Sequence, residues 1–135
     1  MSQRFILDQE YIKEIPSEGG DGIVVPAAAA GVDGSVMVCT ATAELGYAAF
    51  ITQIANIPDE TDAEPYIYFR VKINGAWAQG APFNKFASCL GTPNQPGNFR
   101  ERVTQGAVVE LWTFNTDTTA THPVTGRLLI GLQEV

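Results

Sequence analysis

His122 is the only histidine in the sequence, so any Ser-His-Asp hydrolytic device would have to be built on it. Such a device needs a serine within hydrogen-bond reach of the imidazole and a carboxylate to orient the ring. Ser2, Ser17, Ser35 and Ser88 sit in ordinary turn or strand contexts, and no Gly-x-Ser-x-Gly elbow occurs. His122 itself lies in the Thr-rich segment Thr121-His122-Pro123, which reads as an exposed loop. No catalytic residue is expected. Paired carboxylates could serve glycoside hydrolysis, but with fifteen acids some pair is inevitable and carries little information. Glu110 interrupts an otherwise apolar run and reads as pointing to solvent, or to a basic partner such as Arg127.

Metal chemistry fares no better. Cys39 and Cys89 lie fifty positions apart, and with His122 they offer at most three ligands of the kind zinc prefers. The two thiols read as buried and reduced, with a disulfide between them as the alternative. The acidic stretch Asp59-Glu60-Thr61-Asp62-Ala63-Glu64 supplies hard oxygens but lacks the spacing of a calcium loop, and reads as a solvated turn. Gly19-Gly20-Asp21-Gly22 lacks the Lys-Ser/Thr that completes a phosphate loop. Neither a metal nor a cofactor is expected.

The strongest candidate is a surface. Tyr66, Tyr68, Arg70, Lys72 and Trp77 alternate onto one side of a two-stranded segment. Aromatics and arginine are enriched where proteins meet, and flat aromatic surfaces also stack on sugars. The mundane reading of the same residues is cross-strand Lys–Trp packing that stabilises the hairpin.

The element that carries those residues is the clearest in the chain. Tyr66 to Ile73 alternates, Asn74-Gly75 follows, and Ala76 to Gln79 resumes. Asn-Gly tolerates positive φ at both positions and favours the type I′ turn whose twist matches paired strands. A two-residue loop pairs Ile73 with Ala76, Lys72 with Trp77, Val71 with Ala78 and Arg70 with Gln79. Ile67, Phe69, Val71, Ile73, Ala76 and Ala78 then form a core face. Further strands are expected at Val36–Thr42 (Val36, Val38, Thr40 and Thr42 alternating against Met37, Cys39 and Ala41) and at Tyr47–Ile54. Others follow within Val103–Phe114 and over Arg127–Val135, with short ones at Gly22–Val25 and Lys85–Leu90. Leu7–Ile15 fits a helical turn or an extended segment, and Asp59–Glu64 a short turn of helix. Residues 91–98 and 115–123 read as exposed loops. About seven or eight closely spaced strands with little helix imply an all-β fold, an antiparallel β-sandwich of jelly-roll-like or Ig-like type. Residues 1–135 read as one domain, with 1–30 an N-terminal arm or edge segment.

Charge narrows the partners. Eight Lys and Arg against fifteen Asp and Glu leave a formal net charge of −7. Gripping phosphates takes clustered cations, and the sequence offers no more than close pairs such as Arg100 and Arg102. Nucleic acid and anionic membrane are therefore not expected. Met1–Arg4 shows no secretory pattern, and no run approaches the ~20 apolar residues that span a bilayer.

Phe69-Arg70-Val71-Lys72-Ile73-Asn74-Gly75, Val108-Val109-Glu110-Leu111-Trp112 and the long Thr/Asn/Pro/Gly connections together resemble, in style, the small virion proteins of tailed bacteriophages. These include capsid decoration (cement) proteins, head-fibre bases and tail adaptors. The resemblance transfers no residue role onto a numbered position. It implies a non-enzymatic structural protein, made in the host cytoplasm and carried in the virion. Such a protein self-associates and binds capsid or tail proteins. Ile23-Val24-Val25-Pro26-Ala27-Ala28-Ala29-Ala30 is compatible with an arm that docks on neighbours. The alternatives are a carbohydrate- or receptor-binding module on the same fold, with a glycan as ligand, and then a small hydrolase.

Overall fold

The computed structural model describes residues 13–78, 89–90 and 101–134. In chain order the strands are β1 (Lys13–Pro16), β2 (Ile23–Val25), β3 (Gly34–Thr42), β4 (Tyr47–Pro58), β5 (Ile67–Ile73), β6 (Ala76–Trp77), β7 (Cys89–Leu90), β8 (Glu101–Val103), β9 (Val108–Asn115) and β10 (His122–Glu134). A 3-10 turn over Thr61–Tyr66 precedes β5. The strands form two antiparallel sheets packed on each other, the expected all-β sandwich. No helix among the described residues is long and apolar enough to cross a membrane.

The larger sheet is built on the long β4–β10 pair, whose register runs from Val124 opposite Pro58 to Glu134 opposite Tyr47. Its edges are patched by short strands in tandem: β1 and β2 along β10, β7 and β8 along β4. The smaller sheet has the order β3-β9-β5-β6. Between the sheets lie Ile51, Ile54, Leu128, Ile130 and Leu132 from one side and Phe69, Val71, Val109 and Leu111 from the other, all fully buried. Each such side chain contributes about 1.5–3 kcal/mol.

The hairpin has the register its sequence implies. Ile73 faces Ala76, Lys72 faces Trp77, and the Ala78 amide donates to the Val71 carbonyl at 2.8 Å. Asn74 and Gly75 have φ of 52° and 84°, the two left-handed positions of a type I′ turn. The Arg70–Gln79 pair lies outside the described residues, as do 7–12, 85–88 and 91–98. Burial fades toward the turn, where Ile73 is half-buried and Ala76 exposed rather than in the core.

Three further expectations are corrected. The alternation over Val36–Thr42 breaks at a bulge: Met37 faces Trp112 while Cys39 faces Leu111, leaving Val38 as the extra residue. Val38 and Cys39 are consequently both buried, and beyond the bulge Ala41 points inward while Thr42 is exposed. β4 runs four residues past Ile54, through Ile57 to Pro58, because β10 stays paired with it that far. The third correction concerns Asn115–Pro123. Asn115 belongs to β9 and β10 begins at His122, so the loop between them is residues 116–121.

Two details set how closely the layers approach. A Cβ placed on Gly126 would stand 2.5 Å from Val38 Cγ1 and 3.0 Å from Leu111 Cδ2, so this β10 position accepts no side chain without displacement. In the core, the Thr113 hydroxyl of the smaller sheet donates to Asn56 Oδ1 of the larger one at 2.5 Å. Asn56 Nδ2 has no hydrogen-bond partner among the described residues.

Candidate functional site: the outer face of the smaller sheet

Strand alternation turns Ile67, Phe69 and Val71 of β5 inward, and Tyr68, Arg70 and Lys72 outward. The register then assembles rows across the sheet. Ser35, Phe114 and Tyr68 form one, and Met37, Trp112 and Arg70 the next. Thr40, Glu110, Lys72 and Trp77 form the third. Three half-buried aromatic rings (Trp77, Trp112 and Phe114) and two cations thereby share one surface, while Tyr68 on the same side is buried, at 4% exposed.

They are packed on one another. The Tyr68 and Phe114 rings stack with centroids 5.0 Å apart and planes 7° apart. Trp77 meets Trp112 edge-on at 5.9 Å and Phe114 at 5.7 Å. The Arg70 guanidinium lies 4.4 Å from the Trp77 ring centroid. Lys72 Nζ sits between the indoles, 4.5 Å from Trp77 and 4.7 Å from Trp112. Each cation–aromatic contact contributes about 0.5–1 kcal/mol at an exposed site. Trp112 Nε1 donates to Glu110 Oε1 at 2.8 Å. The Tyr68 hydroxyl donates to Asp33 Oδ2 at 2.5 Å, and burial together with that carboxylate pushes the phenol far above its ordinary value of 10.0.

Of the five residues singled out in the sequence, Tyr68, Arg70, Lys72 and Trp77 come together here. Tyr66 stands apart from them. It closes the 3-10 turn, and its ring stacks on His122 at 5.9 Å. Sequence reasoning missed Trp112 and Phe114. The near-continuous apolar run Val108–Phe114 reads as a central strand, which β9 is, between β3 and β5, and both rings are half-exposed on its outer face. The signal was there in the i, i+2, i+4 spacing of Glu110, Trp112 and Phe114, once β9 is known to lie beside β5. Glu110 takes the outward of its two expected positions, with the Trp112 indole rather than Arg127 as its partner.

His122 is not an exposed loop residue. It opens β10 opposite Val25 and is only 7% exposed. Its Nε2 lies 2.9 Å from Asp117 Oδ2 and its Nδ1 lies 3.3 Å from Glu60 Oε1. Hydrogen bonds from Thr119, foremost its backbone N–H, and then from His122, hold the Asp117 carboxyl down at about 2. Asp117 and, less strongly, Glu60 raise His122 above its ordinary 6.5 against the opposing effect of burial. As the imidazolium, the ring gives an N–H to each carboxylate and holds no lone pair that could accept a proton from a nucleophile. Within the acidic stretch, Asp59 accepts from the Thr125 hydroxyl at 2.8 Å, so two of its carboxylates are engaged by protein donors. Among the described residues, no group of three or more His, Cys, Asp or Glu side chains is placed to hold a metal. Cys39 is a free, buried thiol, pushed up chiefly by burial.

No family model, no curated protein and no solved structure matches this chain.

Proposed function

We propose that this chain is a non-enzymatic structural protein of the virion type, a decoration or cement component that self-associates and binds a larger protein shell. The contact is made through the outer face of the β3-β9-β5-β6 sheet. The observation that carries this reading is the single surface formed by Trp77, Trp112 and Phe114 with Arg70 and Lys72, backed by the buried Tyr68 ring stacked on Phe114. Tryptophan, tyrosine and arginine concentrate in the energetic centre of protein interfaces. Packing among them lowers the entropy lost when a partner fixes them. A glycan is the second reading. It is less favoured because sugar stacking needs an open indole face, and the Trp77 and Trp112 rings already carry cations.

The test is the oligomeric state of the purified chain by light scattering at two salt concentrations, alongside the double variant Arg70→Ala/Trp77→Ala. The reading expects a closed oligomer, a trimer or larger, that the double variant loses. A monomeric wild type that binds glycans unaided would establish the second reading instead.

A further inference from the structure

His122 joins its own β9–β10 loop to the β4–β5 connection, which is more than fifty positions away in sequence. Asp117 belongs to the β9–β10 loop, Glu60 to the connection between β4 and β5, and Tyr66 ends the 3-10 turn and covers one face of the ring. On the β2 side its strand partner is the uncharged Val25. The neighbouring Asp59 is bonded to Thr125, and its backbone N–H donates to the Pro123 carbonyl at 2.9 Å. The same loop reaches further, since the Asp117 carbonyl accepts the Ala28 amide at 2.8 Å and Asn115 Nδ2 donates to the carbonyls of Pro26 and Ala120. One imidazole therefore stands where the acidic turn, the β9–β10 loop and the segment after β2 meet.

We propose that His122 is a proton-dependent latch, which as the imidazolium bonds Glu60 and Asp117 at once and on losing its proton lets the Glu60 side go. The reason lies in the donor count. Only the imidazolium has an N–H on both nitrogens. The neutral ring keeps one, and the shorter contact, 2.9 Å to Asp117, retains it. Nδ1 then presents a lone pair to the Glu60 carboxylate at 3.3 Å, where a donor stood before. Glu60 is half-exposed and free to swing into water, whereas the Asp117 side chain is largely buried. The folded ring binds its proton more tightly than an unfolded one. The stabilisation is therefore complete below the ordinary imidazole value and is lost as pH rises through the higher value of the folded chain.

Because the chain has a single histidine, its ring resonances in NMR report this titration without ambiguity. The full-length protein is expected to show a midpoint above 6.5, the ordinary value. Above that midpoint, amide exchange corrected for intrinsic rate should accelerate about three- to tenfold at Ala63 and Thr116, whose N–H groups close the turn and tie it to the loop. Amides in the middle of β9 should not follow. Glu60→Gln, at a position exposed enough to leave the fold intact, should lower the midpoint and abolish the pH-dependent acceleration. A midpoint at or below 6.5 would overturn the latch. So would a titration that leaves Ala63 and Thr116 exchange unchanged, or a Glu60→Gln variant that behaves like the wild type.

Discussion

Gly126→Ala adds one methyl group, and its consequence follows from three distances. The new Cβ would lie 2.5 Å from Val38 Cγ1, 3.3 Å from Val38 Cβ and 3.0 Å from Leu111 Cδ2. Carbon atoms rest about 3.5–4.0 Å apart, so β10 and the smaller sheet must separate locally by several tenths of an ångström or more. Overpacking of this kind costs about 1–3 kcal/mol. Replacing glycine by alanine also restricts the unfolded chain, which offsets about 0.4–1 kcal/mol. Overlap wins, and a net loss of about 1–2 kcal/mol is expected. Val38→Ala alone removes two methyl groups from the core at about 0.8 kcal/mol each, plus a cavity term, for a loss of about 2 kcal/mol. The two changes are complementary, because the atoms that Val38→Ala deletes include the nearest obstacle to the Gly126→Ala methyl. The double variant should therefore be more stable than the sum of the singles by at least about 1 kcal/mol, well beyond the scatter of additive pairs. Urea unfolding of all four proteins measures this, with thermal midpoints moving about 3–5 °C per kcal/mol as a second reading. A double variant that loses the full sum would refute the packing of β10 on the Val38 bulge.

Other expectations follow from single contacts. Thr113→Val deletes the hydroxyl that bonds Asn56 and leaves that amide buried without its one described partner, so a loss of about 1–3 kcal/mol is expected in urea unfolding. Thr113→Val combined with Asn56→Leu should recover part of it. Asn74→Ala keeps a residue with a Cβ at φ 52° while removing the side-chain acceptor of the Val108 amide at 2.9 Å. It should cost about 1.5–3 kcal/mol from the left-handed strain and the lost bond, and Asn74→Gly should cost less. The depressed Asp117 carboxyl contributes stability above its ordinary 3.8 that disappears as pH falls toward about 2. Asp117→Asn should accordingly flatten the acid limb of the stability curve.

The parts of the fold legible in the sequence are those governed by local rules. Asn74-Gly75 announces its turn by φ preference alone, and Leu128, Ile130 and Leu132 announce a buried face by period two, which all three occupy. The bulge at Val38 is not written locally, because it is settled by the partner strand. Only the pairing of Met37 with Trp112 and Cys39 with Leu111 shows that one residue is surplus. His122 was misread for a similar reason. A Thr-rich, Pro-flanked context describes a loop, but the groups that bury and pair the ring include Glu60 and Tyr66, more than fifty positions away. The candidate surface was half legible. Tyr68, Arg70, Lys72 and Trp77 follow from the hairpin itself, whereas Trp112 and Phe114 join them only through the β5–β9 register.

Both tryptophans of the chain, Trp77 and Trp112, lie on the proposed contact face, so tryptophan emission, excited selectively over tyrosine, reports on that face alone. The most direct test is acrylamide quenching of this emission across a dilution series of the purified protein, with mass followed by light scattering on the same samples. The account expects quenching to fall and emission to shift to the blue as mass rises, because association covers the two indoles. A rise in mass that leaves quenching unchanged would place the contact elsewhere. A mass that stays monomeric throughout would contradict self-association through this sheet.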